Sequence, residues 1–251
     1  MRIFWTLTRR ELAAFFFSVT GYVIISAVTL LIGLSFDVLM TNLGSDPTPM
    51  PVTEIFYDTS YFWLIILLAA PVITMRLFAL EKASGTFETL MTTPVGDLQV
   101  VAAKFTAAII FYIVMWLPMF ACLFIVRHFT NQPGALDGGA VGGMYLGIFL
   151  VGCLFLSLGC FASAITRSQM VAAMISFVFG MGLFSLAYLA KAAIPMATQW
   201  QSNILSYFSL FDQMNDFARG VVDTRSVIFY VSLTFFFLFL TLRAVESRRW
   251  K

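Results

Sequence analysis

The stretch FFFSVTGYVIISAVTLLIGLSF occupies residues 15–36 and contains no charged side chain. A helix needs about 20 consecutive apolar residues to cross the hydrocarbon core of a bilayer. Lipid offers no hydrogen bonds to a bare backbone, so a segment of this kind favours a helix, which satisfies its own amides. The stretch therefore predicts a membrane-spanning helix.

Five further apolar runs follow this stretch and extend the prediction to the whole chain. Apolar residues make up 60% of the 251 residues and charged residues only 11%, whereas soluble domains are about half apolar and a quarter charged. The predicted fold is an all-α polytopic membrane protein, a single transmembrane domain over residues 1–251. Its six transmembrane helices are expected at about 15–36, 61–77, 105–126, 140–164, 171–189 and 227–242.

The positive charges predict the orientation of these spans. Lys and Arg concentrate on the cytoplasmic side of membrane proteins. Six spans place both termini on one side, together with the loops near 78–104 and 165–170, and that side holds eleven of the 15 Lys and Arg residues. We therefore expect both termini to be cytoplasmic, in a bacterial cytoplasmic (inner) membrane.

Three segments outside the spans have their own patterns. Residues 2–14 carry arginines on one side and apolar residues on the other, which predicts an interfacial helix. The outer stretch 37–59 contains Pro47, Pro49 and Pro51, so we expect no regular element there. The outer loop 191–226 shows helical spacing of apolar residues and is predicted to hold a surface helix that ends at Arg219-Gly220.

The cytoplasmic loop between spans two and three carries the strongest functional pattern. Ser84-Gly85 can end one helix and begin another, and Pro94 stops the second one because the residue before a proline avoids helical geometry. The predicted short helix, about Gly85–Thr92, places Phe87, Leu90 and Met91 where no bilayer can cover them. An exposed apolar surface rimmed by charges favours docking of another protein. The alternative is a helix folded back on its own bundle.

Three blocks of sequence also bracket almost the whole chain. The first is Arg10–Ser18 with Gly21–Val23, and the last is Phe217–Asp223 with Glu246–Trp250. The middle block is the most specific and comprises Ala70–Phe78, Glu81-Lys82, Gly85-Thr86, Glu88, Pro94-Val95 and Lys104-Phe105. In these blocks the chain resembles the ABC-2 type permeases of ATP-binding-cassette (ABC) transporters, in the branch that contains the gliding-motility-associated permease.

This resemblance implies a function and a set of partners. It implies the permease subunit of an exporter that works by alternating access, pairs with a second permease copy as a homo- or heterodimer, and is driven by a separate ABC ATPase subunit. It also allows an extracytoplasmic accessory subunit. The resemblance implies that residues about 84–95 form the ATPase-coupling helix. The residues assigned to this contact are Glu81, Lys82, Gly85, Thr86, Phe87, Glu88, Leu90, Met91 and Pro94, with Glu81, Lys82 and Glu88 in polar contacts and Phe87, Leu90 and Met91 in apolar ones.

The chain itself lacks the sequence signals of an enzyme. None of its lysines follows a glycine, so it contains no Walker A loop. We expect no catalytic residue, no metal site and no cofactor on this chain, with ATP and Mg bound by the partner subunit. His128 is the single histidine, and no basic stripe suggests nucleic acid; membrane lipid is the expected surroundings.

Gly139, Gly143 and Gly147 recur every four residues at the start of span four. Small residues at this spacing let two helices approach closely. The row predicts either a dimer seam or packing within one subunit.

Two other functions stay open beside the ABC permease, namely a secondary transporter or channel that acts without an ATPase, and a non-transporting membrane anchor of a motility or regulatory assembly. The substrate is not encoded in any pattern of this sequence.

Overall fold

The computed structural model describes residues 2–45, 52–87, 95–130, 137–193, 200–201 and 209–247. Within these ranges the chain forms helices and no β-strand, which confirms the all-α class. The helices are α1 (Arg2–Phe16), α2 (Val19–Ser45), α3 (Val52–Asp58), α4 (Ser60–Thr74), α5 (Ala79–Ser84), α6 (Asp97–Met115), α7 (Pro118–Thr130), α8 (Gly138–Ile165), α9 (Gln169–Ala193), α10 (Leu210–Ala218) and α11 (Thr224–Glu246).

The six predicted spans are confirmed as helical segments long and apolar enough to cross a membrane. The second consists of α4 and α5, and the third of α6 and α7. The third span breaks before Pro118 because proline has no backbone N–H to continue the helical ladder. It begins at Asp97 rather than at 105, so Lys104 lies within the span and not in the loop before it.

The spans alternate in direction and give the bundle two ends. The near end is where α2 begins and α8 finishes, at Val19 and Ile165, and it also holds the end of α4 and the start of α6. The far end is where α2 finishes and α8 begins, and it holds α3 and α10. Both termini of the described chain lie toward the near end.

Helix α8 occupies the centre of the bundle and packs against α4, α6, α9, α10 and α11. In its membrane-spanning segment 78% is buried inside the protein, whereas only 17% is buried in the corresponding segment of α11 and only 22% in that of α9. The outer helices therefore present broad apolar surfaces, which in a membrane protein face lipid or other membrane helices. The core is organised around α8.

The expectation of an irregular stretch at 37–59 is wrong on both sides of its prolines. Helix α2 continues past the predicted end at 36 as far as Ser45, and α3 occupies Val52–Asp58. No proline interrupts residues 37–45, and α3 buries Phe56 and Tyr57 against the bundle, which compensates for its short length. The three prolines themselves lie outside the described residues.

The surface helix predicted within 191–226 is present as α10, which packs against α8, α9 and α3. Its predicted end is confirmed, because Arg219 caps the helix and Gly220 has a φ of 79°. This left-handed conformation is one that glycine adopts without strain. The earlier part of the predicted helix, which includes Ile204 and Phe208, lies outside the described residues.

Candidate functional site

Four charged side chains from three helices meet at the near end. Arg10 and Glu11 lie on α1, Glu81 on α5 and Lys104 on α6. Lys104 Nζ is 3.0 Å from Glu11 Oε1 and 3.0 Å from Glu81 Oε2. Arg10 Nη2 is 2.7 Å from Glu11 Oε1 and 2.8 Å from Glu81 Oε1. These four residues form the charge cluster, whose two positive and two negative charges balance.

Lys104 is the most buried member of the charge cluster, with 3% of its side chain exposed. Removing an ammonium ion from water costs several kcal/mol unless it is well paired. Here the two carboxylates pair with it, and the ring of Phe78 lies 5.4 Å from Nζ and presents its negative face. The interior at this point accommodates Lys104 only while α1 and α5 hold their carboxylates in place.

The charges of the cluster also shift the acidity of its members. Burial alone would raise the pKa of Glu11, but the charges of Lys104 and Arg10 and their hydrogen bonds hold that pKa below its ordinary value. Burial acts to lower the pKa of Arg10, whereas Glu11 and Glu81 raise it to a net value above the ordinary one. Both groups therefore stay ionised at neutral pH, and the pairing persists.

Helix α1 is attached rigidly to the bundle on which the cluster sits. Its last turn stacks Phe15 on Phe111 of α6, with ring centroids 4.9 Å apart. The chain then turns sharply into α2, where a Cβ on Gly21 would lie 3.1 Å from the carbonyl carbon of Phe15 and closer still to its oxygen. The turn therefore requires glycine, and α1 is coupled directly to the first span.

At the far end, the predicted glycine row contacts α10 of the same chain. A Cβ on Gly143 would lie 3.1 Å from the Cα of Gly220 and would collide with the carbonyl of Phe217. A Cβ on Gly147 would lie 3.2 Å from Phe217 Cβ, while Gly139 faces its own N-cap residue. Gly143 and Gly147 therefore pack within one subunit, as the second of the two alternatives has it, and a dimer seam along the row stays a prediction.

Polar contacts complete the far end. Arg219 beyond α10 pairs with the buried Glu54 of α3 at 2.5 Å, and Thr53 donates a hydrogen bond to the carbonyl of Ala218 at 2.6 Å. Tyr57 of α3 donates to the carbonyl of Met144 at 2.5 Å. Helices α3, α8 and α10 are thereby joined in one layer that closes the far end of the bundle.

With both ends described, the sequence can be compared with known families. A family model described as ABC-2 family transporter protein matches residues 12–245, almost the whole chain. The chain belongs to the ABC-2 transporter family. It is a membrane permease subunit of an ABC transporter and not the catalytic subunit, and the family implies an ABC ATPase as its partner. No curated protein matches the sequence significantly, and membership of the gliding-motility branch stays a prediction.

The permease places Glu81 and Lys82 of the predicted coupling helix against its own bundle, whereas Gly85 and Thr86 are exposed. Glu81 belongs to the charge cluster, and Lys82 donates a hydrogen bond to the carbonyl of Ala164 at the end of α8. Gly85, with a φ of 73°, ends α5, and the Thr86 hydroxyl lies 2.8 Å from that of Ser84. The predicted residues Glu88, Leu90, Met91 and Pro94 lie outside the described residues.

One member of the predicted apolar docking surface differs from expectation. Phe87 is only 5% exposed, and Lys82 Nζ lies 5.3 Å from the centre of its ring. For this residue the alternative of a segment folded back on its own bundle is the better description. The physical reason is that a phenyl ring gains more from burial beside the lysine stem than from contact with water.

The sequence interpretation of the permease missed Arg10, Glu11 and Lys104 as site residues. A signal for Glu11 was present, because it interrupts the apolar side of the amphipathic α1 and a carboxylate there needs a buried cation. Lys104 was assigned to the loop before span three, so it was not recognised as a charge inside a span, which is typically functional.

Proposed function

We propose that this permease is the membrane subunit of a bacterial exporter that works by alternating access and is driven by a separate ATPase docking on residues 84–95. In this proposal the near end faces the cytoplasm, which agrees with the excess of Lys and Arg on that side. The observation that carries the proposal is the charge cluster, because it joins the segment leading into residues 84–95 to two other helices through buried charges.

The charge cluster provides a route for movement. Glu81 lies on α5, directly before the docking segment, and its carboxylate contacts Arg10 of α1 and Lys104 of α6. A displacement of α5 must carry these partners along or leave buried charges unpaired, which costs several kcal/mol. Because α1 continues into the first span and α6 is part of the third, the movement of one short helix reaches three spans.

The same proposal includes further partners. The sparsely buried faces of α9 and α11 offer surface for a second permease copy, and we propose a dimer. ATP and Mg bind in the ATPase subunits. Experiments must determine whether an accessory subunit binds at the far end and which substrate is transported.

Affinity purification in mild detergent, followed by mass spectrometry of the proteins that copurify, tests the proposal. We expect an ABC ATPase subunit in a stable ratio to the permease. Glu88→Lys and Leu90→Asp should each reduce the recovered ATPase at least about tenfold, the effect of losing one contact of about 1.4 kcal/mol. Arg225→Glu is the matched control, because this exposed residue lies in the first turn of α11 at the far end.

Four results would contradict the proposal. Full ATPase recovery with both loop variants would remove the docking assignment. Labelling of a cysteine at position 88 by an impermeant reagent from outside intact cells would reverse the orientation. Substrate flux in liposomes without ATPase or nucleotide would favour the secondary transporter, whereas a complex that never moves substrate would favour the membrane anchor.

A further inference from the structure

The break between α4 and α5 leaves backbone groups without helical partners in a buried place. Helix α4 ends at Thr74, and α5 begins at Ala79 after Phe78, whose side chain does not cap it. Phe78 and Ala79 are both 0% exposed. A buried N–H without an acceptor is costly, so the break persists only if another part of the chain supplies one.

Ser163 of α8 supplies both the acceptor and a donor. Its Oγ accepts hydrogen bonds from the N–H groups of Phe78 and Ala79, each at 3.1 Å. The same hydroxyl donates to the carbonyl of Met75 at 3.3 Å. A single buried side chain on a neighbouring helix therefore satisfies backbone groups on both sides of the break, as a capping residue would within one helix.

Neighbouring positions on α8 contact the same region. One turn earlier, a Cβ on Gly159 would lie 2.8 Å from Thr74 Cβ and 2.9 Å from Ser176 Oγ, so α8 touches the end of α4 closely. Immediately after Ser163, the carbonyl of Ala164 accepts the hydrogen bond from Lys82. Helix α8 thus holds the end of α4, the break and α5 along two successive turns.

The opposite end of α8 contacts the far-end layer through Gly143 and Gly147, which lie against Phe217 of α10. We propose that Ser163 is a positioning residue that locks the α4–α5 break to α8, so that movement of α5 is carried along α8 to α10. The proposal rests on the proposed function, because the ATPase supplies the movement.

Hydrogen exchange measured by mass spectrometry on the purified permease–ATPase complex tests both parts. Without nucleotide, Ser163→Ala should speed exchange at the amides of Phe78 and Ala79 about tenfold, the effect expected when a buried hydrogen bond is lost. With a non-hydrolysable ATP analogue, wild type should change its exchange in α10. Ser163→Ala should lose this response while it still binds the ATPase.

Ser157→Ala is the matched control, since Ser157 is equally buried on α8 but donates only to the carbonyl of Leu154 in its own helix. It should behave as wild type in both measurements.

Ser163→Cys, which keeps a weak acceptor, should give intermediate exchange and serves if the alanine variant does not fold. Unchanged exchange at Phe78 and Ala79, or a retained α10 response in Ser163→Ala, would overturn the proposal. Absence of an ATPase from wild-type preparations would refute the proposed function. The role of Ser163 would still be tested, because the exchange at Phe78 and Ala79 is measured without nucleotide and does not depend on ATPase activity.

Discussion

The contacts that join α1, α5 and α6 at the near end of this permease are of the opposite kind from those that join α8 and α10 at the far end. At the near end, α1, α5 and α6 meet through four charged side chains around the buried Lys104. At the far end, α8 and α10 meet through glycines that bring one helix onto the backbone of the other. Charged groups can exchange partners when another protein or a proton arrives, whereas close backbone packing holds one geometry. The near end is therefore the end suited to receive a signal.

Removing the buried cation tests this comparison with the largest expected effect. Lys104→Met leaves the carboxylates of Glu11 and Glu81 facing each other with only the half-exposed Arg10 between them. Breaking a buried ion pair by removing one partner costs about 3–5 kcal/mol. We expect a large drop in the thermal unfolding temperature in detergent.

The control for this prediction removes the three more buried charges of the cluster and leaves only Arg10, whose side chain is 52% exposed to water. The triple variant Glu11→Gln, Glu81→Gln and Lys104→Met leaves no uncompensated charge at that position and should regain much of the lost stability. A triple variant as unstable as the single one would mean that the packing of the lysine stem, and not its charge, holds the near end together.

Adding one methyl group tests the far end. Gly143→Ala places a Cβ against the carbonyl of Phe217 and the Cα of Gly220, which are backbone atoms that cannot move aside. Overpacking of this kind costs about 1–3 kcal/mol, measured as a lower unfolding temperature. Gly142→Ala is the matched control, because no atom lies within 4 Å of its added Cβ. Equal stability of the two variants would show that α10 does not press on α8.

The two ends also differ in how much of them the sequence predicts. The spans follow from apolar runs, because crossing a bilayer imposes a length and composition that each segment shows by itself. The charge cluster does not follow, since Glu11 and Lys104 are 93 residues apart and their pairing depends on how α1 lies on α6. The glycine row allowed both a dimer seam and internal packing. Small residues at this spacing predict that another helix packs closely, but they do not predict which helix it is. Helix α3 was missed because the prolines that precede it dominate the local pattern, while its stability depends on burial against the bundle.

Acid sharpens the comparison with a smaller effect at the near end. The charges of Lys104 and Arg10 outweigh burial and hold the pKa of Glu11 below its ordinary value of 4.5. A depressed pKa contributes stability that is fully present above the unfolded-state pKa and is lost as the pH falls through the folded-state pKa. The stability difference between wild type and Glu11→Gln, measured by thermal unfolding, should therefore shrink below about pH 4.5. A difference that stays constant from neutral to acid pH would show that Glu11 is not ionised in the cluster.

Asp216 of α10 should respond in the opposite direction, because partial burial, helped by nearby carboxylates, raises its pKa. Burial raises its pKa above the ordinary value, and Asp212, Asp223 and Glu54 add to this rise although Arg219 opposes it. A raised pKa means that the folded state favours the protonated carboxyl, so stability falls as the pH rises through the folded-state pKa. Asp216→Asn should therefore raise the unfolding temperature slightly at neutral pH, and the gain should vanish in acid. The effect is expected to be the smallest of those considered, since Asp216 is exposed and water screens its charge. If Asp216→Asn instead destabilised the protein at neutral pH, the carboxylate would belong to a stabilising network with Arg219 and Glu54, and α10 would be held by charge as well as by close packing.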